Sequence, residues 1–356
     1  MMRPLPKNRQ IRSYLIILLF GSVMMVMSPW IFRHRISMDL NRLSSPLEST
    51  LIESKLRYRR RSCSCSRPIL SSKSIDLVID ETVTSLCSQY STLRGPGQRI
   101  VTISMYGPRE NRRFSLNQSL NFLHELIDEM HNIYPNWILR IYHDNSISDD
   151  IVCSFECEND QVDFCNVSTF GHLTNIATFV PPKIWRFLPV GDPFAEIVAS
   201  RDLDSPLAAR ELAAVNEWLS SGKTWHVMRD HPLHTVPILG GMWGFRRTSN
   251  ENLSRILFEK ILDPTLIVNF TGRADQTFLG EHVWPYIQDD VLVHDSHLCE
   301  TNYGRNARPW PTKRPELNAT GCFVGCIRPC CQILLHPFGE CPLACRPTDH
   351  KDWTMC

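Results

Sequence analysis

An α/β fold built on a mostly parallel sheet with flanking helices is what this 356-residue sequence predicts. Three observations predict it. An apolar strand, Arg99 to Gly107, is followed by a helical stretch and a second apolar strand, Trp137 to Asp144, within about 45 residues, the spacing of a βαβ unit. A third apolar run, FAEIVAS, leads into the charged stretch Arg201-Asp202-Leu203-Asp204. Hydrophobic residues are 43% and charged residues 21%, so most of the chain can build a core. A membrane helix and a stem are expected before this sheet, and a cysteine-rich tail after it.

The membrane helix comes first. Tyr14 to Phe32 carries no charged side chain, and at 1.5 Å per residue it just crosses a hydrocarbon core of about 30 Å. Met, Trp and Phe crowd its exit, which argues against a signal peptide cut at small residues. It is apolar all round, which argues against an amphipathic core helix. The expectation is an uncleaved signal anchor whose short span suits the thinner membranes of the early secretory pathway. Residues 1–13 are then a cytosolic tail, 14–32 the span, 33–97 a stem, 98–321 the catalytic-type domain and 322–356 the tail.

A lumenal location fits five Asn-x-Ser/Thr sequons, at Asn117, Asn166, Asn252, Asn269 and Asn318, and fourteen cysteines, for which an oxidising compartment makes disulfides the default. Lys+Arg 38 against Asp+Glu 37 leaves a net charge of +1, which excludes a general nucleic-acid binder. In the stem, Arg57-Tyr58-Arg59-Arg60 is either a solvated basic linker or a processing site. Cys63, Cys65 and Cys87 either pair within one stem or join two, the latter giving a disulfide-linked homodimer.

In the domain, Leu116, Leu120, Leu123, Ile127 and Met130 form one apolar helical stripe, and Pro135 ends the helix. A disulfide-prone loop is expected around Cys153, Cys157 and Cys165. After the carboxylates, Ser205 and Pro206 read as the entry to a helix over Leu207 to Leu219 that Gly222 stops. TWHVMRDHP and ILGGMWGFRR read as strands, Asn252 to Leu262 and ADQTFLGEHVWPYI as helices, and DDVLV as a last strand. Seven tail cysteines cannot all pair among themselves, so one must reach Cys299, the stem or another chain. Zinc modules usually show C-x2-C pairs, which favours disulfides here.

The chemistry is expected at Asp202 and Asp204. Ligands of parallel sheets bind beyond the carboxyl ends of strands, and both carboxylates project to one side of an extended Asp-x-Asp. Their hard oxygens suit Mn²⁺ or Mg²⁺. The bland reading is a helix cap. Asp275 opens a helix and is either a base or acceptor-orienting group, or a cap. His294 ends a strand and is either a nitrogen ligand to the metal or a loop histidine.

Across residues 98 to 315 the chain resembles Golgi-type, type II membrane glycosyltransferases of the GT-A fold. The resemblance rests on YPNWILRIYHD with the strand and helix before it, on WRFLPVGDP with SRDLDS, on WHVMRDHPLHTVPILGGMWGFR, and on RADQTFL followed by VHDSHLC. It implies a Golgi or ER membrane enzyme with a lumenal domain. It also implies a nucleotide-sugar donor, a divalent metal at Asp202 and Asp204 with His294 as a later ligand, and Asp275 on the acceptor side. Arg186, Arg201, Arg229 and Gly241 join Asp202 as candidates for holding donor diphosphate or sugar. The implied reaction moves a sugar to a glycan, protein or lipid acceptor. The family's acidic pair at Asp275 is Asp-Gln here, which keeps open the alternative of a membrane-tethered sugar- or nucleotide-sugar-binding protein without turnover.

Overall fold

The computed structural model describes residues 57–69, 83–107, 115–171, 173, 175–270, 274–301, 303–304, 307–315, 323–330 and 339–356. The chain divides into two compact units, Met1–Leu56 and Arg57–Cys356. The first, with the apolar run Tyr14 to Phe32, lies outside the described residues, as do Asn318, Cys322 and Cys331. No described helix is long and apolar enough to cross a membrane.

A short antiparallel pair, β1 (Arg57–Tyr58) and β2 (Arg67–Pro68), precedes the main sheet. The sheet is built from β3 (Gln98–Ser104), β4 (Ile138–His143), β5 (Val162–Asn166), β6 (Ala195–Ser200), β7 (Trp225–Arg229), β8 (Trp243–Arg246), β9 (Val291–Asp295) and β10 (Ala307–Arg308). The helices are α1 (Gln89–Leu93), α2 (Leu116–Ile133), α3 (Asp149–Glu158), α4 (Ala209–Ser221), α5 (Glu251–Leu262), α6 (Pro264–Ile267), α7 (Asp275–His282) and α8 (Trp284–Ile287). Strand order is β10-β9-β7-β8-β6-β3-β4-β5. All pairings are parallel except those of β8, which is antiparallel to β6 and β7.

The chain runs outward from β3 through β4 to β5, then returns to lay β6 on the other side of β3. That reversal opens a crevice beyond the carboxyl ends of β3 and β6, where open α/β sheets bind ligands. The strands themselves are held by burial on both faces, as parallel strands must be. Val101, Ile103, Ile197 and Ala199 pack with Leu123, Ile127 and Met130 of α2. Ile100 and Val198 point to the opposite layer, with Trp185, Trp243 and Leu257. The period of two in β3 and β6 thus feeds two cores at once.

Helix α2 starts at a capping box. Ser115 accepts from the Gln118 backbone N–H, and the Gln118 side chain accepts from the Ser115 N–H, an arrangement whose loss costs about 1 kcal/mol. Gly222 ends α4 at φ +74°, a left-handed conformation that glycine adopts without strain.

Four expectations change. The region around Cys153 and Cys157 is the helix α3, with Asp149 and Asp150 in its first turn and Val152 and Phe155 buried, and Cys165 lies in edge strand β5. Helix α4 begins at Ala209 after Ala208, so Ser205 does not cap it. Residues 57–69 and 83–97, expected within the stem, are fastened to the sheet domain: Cys63–Cys153, Cys65–Cys157 and Cys87–Cys165 bond them to α3 and β5. Arg67 and Arg94 reach the buried Asp163 of β5 at 3.3 and 2.9 Å, and Arg60 meets Glu156 of α3 at 3.1 Å. The second unit begins at Arg57, within the arginine cluster. Finally, Cys63, Cys65 and Cys87 join neither each other nor a second stem, and all twelve described cysteines pair within the chain. The tail does reach Cys299, through Cys345.

Candidate functional site

The crevice at the switch point is a cleft of about 710 Å³. Ser104, Met105 and Tyr106, at the end of β3, line one side, and Asp202, Leu203, Asp204 and Ser205, after β6, line another. The 310 segment Pro182–Gly191 contributes Lys183 and Arg186, and Asp275 and Gln276 open α7 on the far side.

The polypeptide leaves β6 by a last ladder bond, Arg201 N–H to Thr102 O at 3.0 Å. It then turns through Asp202, whose carbonyl accepts from Ser205 N–H at 3.2 Å. This turn places Asp202 and Asp204 in the lining of the cleft. Asp202 keeps 41% of its side chain exposed, whereas Asp275 is buried.

Arg186 ties the two sides together. One terminal nitrogen grips Oδ1 of Asp202, and the other donates to Oδ2 of Asp275 at 2.9 Å. Its backbone N–H donates to Ser104 Oγ at 3.0 Å, which fixes it at the end of β3. Burial works against the charge of Arg186, but Asp202 and Asp275 outweigh it and hold the guanidinium above its ordinary value. Lys183 lies three residues before Arg186, the spacing that eclipses side chains in a 310 turn.

Two glycines make this cluster fit. A Cβ on Gly240 would collide with the Arg186 guanidinium and the Asp275 carboxylate, and one on Gly241 with the Asp202 carboxylate. The Ser200 hydroxyl donates to Gly240 O at 2.7 Å and locks this close approach. His234, also in the cleft, accepts from Asp230 N–H through Nδ1 at 3.1 Å, and burial lowers its pKa to about 3. It is a neutral lining group.

The structure thus brings together Arg186, Asp202, Asp204, Asp275 and, behind Asp202, Gly241. It does not bring Arg201, Arg229 or His294 to the cleft. Arg201 is buried against Glu211 at 2.6 Å and Trp243 O at 3.0 Å. Arg229 is buried against Asp295 at 2.5 Å, Pro237 O and Tyr303 O. Asp230, beside it in sequence, pairs instead with Arg210 and Arg314. His294 is fully buried in β9, with Nδ1 2.8 Å from His226 Nε2 and Nε2 3.1 Å from Glu217. Both ring nitrogens are engaged away from the cleft, which corrects the expectation of a metal ligand there. Trp243 is core, ring to ring with Phe187 and Trp225.

Sequence reasoning gave no role to Lys183 or His234. It also missed a strap, residues 323–330, whose Gly325 and Ile327 line the cleft. The 183/186 spacing was readable, but only once the segment is known to be 310. Nothing in a run of tail cysteines signals a return to the cleft. In the proline-rich segment that follows β9, none of the described residues 304 and 307–314 lines the cleft; Trp310 is buried and donates to Arg229 O at 3.3 Å.

One further acidic cluster, Asp295 with Cys299 and Cys345, is buried. Its two sulfurs form a disulfide, so it offers no thiolates to a metal.

No family model matches the chain, and no curated protein matches it. Solved structures similar to it include mouse xyloside xylosyltransferase 1 in its apo form, 11% identical over 57% of this chain and 86% of that one, with a TM-score of 0.34. The 4-diphosphocytidyl-2C-methyl-D-erythritol synthase of Anaerococcus prevotii is 16% identical over 56% of this chain and 89% of that one, with a TM-score of 0.32. A Mycobacterium tuberculosis protein in complex with manganese is 13% identical over 56% and 89%, with a TM-score of 0.29.

Proposed function

We propose that this chain is a metal-dependent glycosyltransferase, moving a sugar from a nucleotide-sugar donor to a glycan, protein or lipid acceptor. The observation that carries the proposal is the convergence of Asp202, Asp204, Asp275, Arg186 and Lys183 on one cleft at the switch point of a mostly parallel sheet.

The residues fit a divalent cation. Asp202 and Asp204 offer hard carboxylate oxygens, as Mn²⁺ and Mg²⁺ prefer. Arg186 takes Oδ1 of Asp202, while Oδ2 lies over the face of Gly241 that lacks a Cβ. Asp202 and Asp204 would hold the ion, which supplies Lewis-acid neutralisation of the departing nucleoside diphosphate. The chain's own residues do the rest. Arg186 orients Asp202, and Lys183 adds positive charge beside the phosphates. Asp275, across Arg186 from the metal carboxylate, faces the acceptor side and orients the incoming hydroxyl.

Donor binding without transfer is favoured by one observation: Oδ2 of Asp275 already accepts from Arg186 and the next residue is Gln276, so the acceptor side lacks a second carboxylate. The Golgi or ER location, lumenal and anchored by Tyr14 to Phe32, belongs to the same proposal. Six disulfides among the described residues support an oxidising compartment.

The test is a thermal-shift screen of the full chain against nucleotide sugars with and without Mn²⁺. A donor at about 100 times its dissociation constant adds about 2.7 kcal/mol of stability. A stabilising donor is then offered with acceptors: transfer supports the first reading, and tight binding with no transfer the second.

A further inference from the structure

The turn that carries Asp202 and Asp204 is gripped from outside the sheet. Strap 323–330 is closed by Cys326–Cys330 and moored by Val324 N–H, which donates to Asp230 Oδ2 at 2.9 Å. At its far end, Arg328 N–H donates to the backbone carbonyl of Asp204 itself at 2.8 Å. The Arg328 side chain, 9% exposed, makes a two-pronged grip on Glu129 of α2, at 2.8 and 2.6 Å, and reaches Glu125 at 2.9 Å. Glu129 in turn accepts from Leu207 N–H at 2.8 Å, three residues beyond Asp204.

From this closed circuit we infer that Arg328 is a positioning residue for the candidate metal carboxylates. Its main chain holds the turn at Asp204, and its guanidinium holds the glutamate that anchors the exit of the same turn at Leu207. The turn needs such help. Ser205 does not cap α4, and no side chain caps that helix at Ala208. A carboxylate on an unbraced turn samples many directions, and a metal site gains affinity when its ligands are held by partners one layer out. A planar, two-pronged guanidinium suits this task where an ammonium does not. The inference rests on reading Asp202 and Asp204 as metal carboxylates, and its test is built so that the two fail separately.

The experiment uses full-length protein carrying Arg328→Ala or Arg328→Lys, with Glu129→Gln as the variant that keeps an acceptor for Leu207. Two readouts are taken: amide hydrogen exchange of the segment 202–208 without metal, and the affinity for UDP and GDP with and without Mn²⁺. Arg328→Ala is expected to speed exchange across 202–208. It should weaken Mn²⁺-dependent nucleotide binding about tenfold or more, a larger loss than its effect on the metal-free melting temperature accounts for. Arg328→Lys should recover part of the loss, and Glu129→Gln should reproduce it. Unchanged exchange at 202–208 overturns the inference whatever the nucleotide does. Faster exchange with wild-type affinity for metal and nucleotide also overturns it. Faster exchange in a protein whose wild type binds no nucleotide supports the brace and removes the proposed reaction instead.

Discussion

Arg186 and Asp275 meet at 2.9 Å below the surface of the cleft, and the same guanidinium grips Asp202 on the other side. One cation thus couples the carboxylate assigned to the metal to the carboxylate assigned to the acceptor. Asp275 is buried, and breaking a buried ion pair by removing one partner costs about 3 kcal/mol or more. Arg186→Met should therefore lower the melting temperature without any ligand, and Asp275→Asn in the same chain should restore much of it. A melting curve of Arg186→Met that matches wild type would mean the pair is not holding this floor.

Gly241→Ala tests the close approach behind Asp202. The added Cβ would collide with the Asp202 carboxylate and lie 2.8 Å from its backbone nitrogen. Overpacking of this kind costs about 1–3 kcal/mol, and it displaces the carboxylate. The expected outcome is a folded protein with metal-dependent nucleotide binding reduced more than its stability. Equal loss in both would assign Gly241 to packing alone.

Buried histidines should set the acid side of stability. Burial lowers His143 to about 4, against a weaker upward pull from its hydrogen bond to Asp144 O. Its folded pKa lies below its unfolded value near 6.5, so the unfolded chain binds the proton first. Stability is full above about pH 6.5 and falls toward pH 4, by about 1.4 kcal/mol per pH unit for a group held neutral. His143→Phe cannot be protonated and should show a shallower fall of melting temperature between pH 6.5 and 4.5. A slope equal to wild type would contradict the assignment.

Peptide mapping under non-reducing conditions should recover Cys63–Cys153, Cys65–Cys157 and Cys87–Cys165, with sequence separations of 90, 92 and 78 residues. Closing one loop of that length restricts the unfolded chain by about 4.5 kcal/mol, and the overlapping loops add less than that each. Cys87→Ser should lower stability without producing monomer from dimer. If it does dissolve a covalent dimer, these cysteines bridge chains after all.

The βαβ start, the parallel character of the sheet and the place of Asp202 and Asp204 just beyond a strand end were legible because apolar periodicity and strand ends are local signals. Helix α3 was not, since Cys153 and Cys157 draw attention to bonding and hide the Val152 and Phe155 stripe. His294 misled for a related reason. A histidine at a strand end reads as a ligand until the strand's neighbours are known, and here His226 and Glu217 take both its nitrogens. Arg328 was beyond reach: its partners Glu125 and Glu129 lie 203 and 199 residues away in sequence.

The most direct test of the account is a calorimetric titration of UDP and GDP into the full chain, with and without Mn²⁺, for wild type and Asp204→Ala. The account predicts that wild type binds one of the two nucleotides only with the metal. Asp204→Ala should lose that binding, a loss far larger than any change in its metal-free melting temperature. Wild-type protein that binds neither nucleotide under either condition would contradict it.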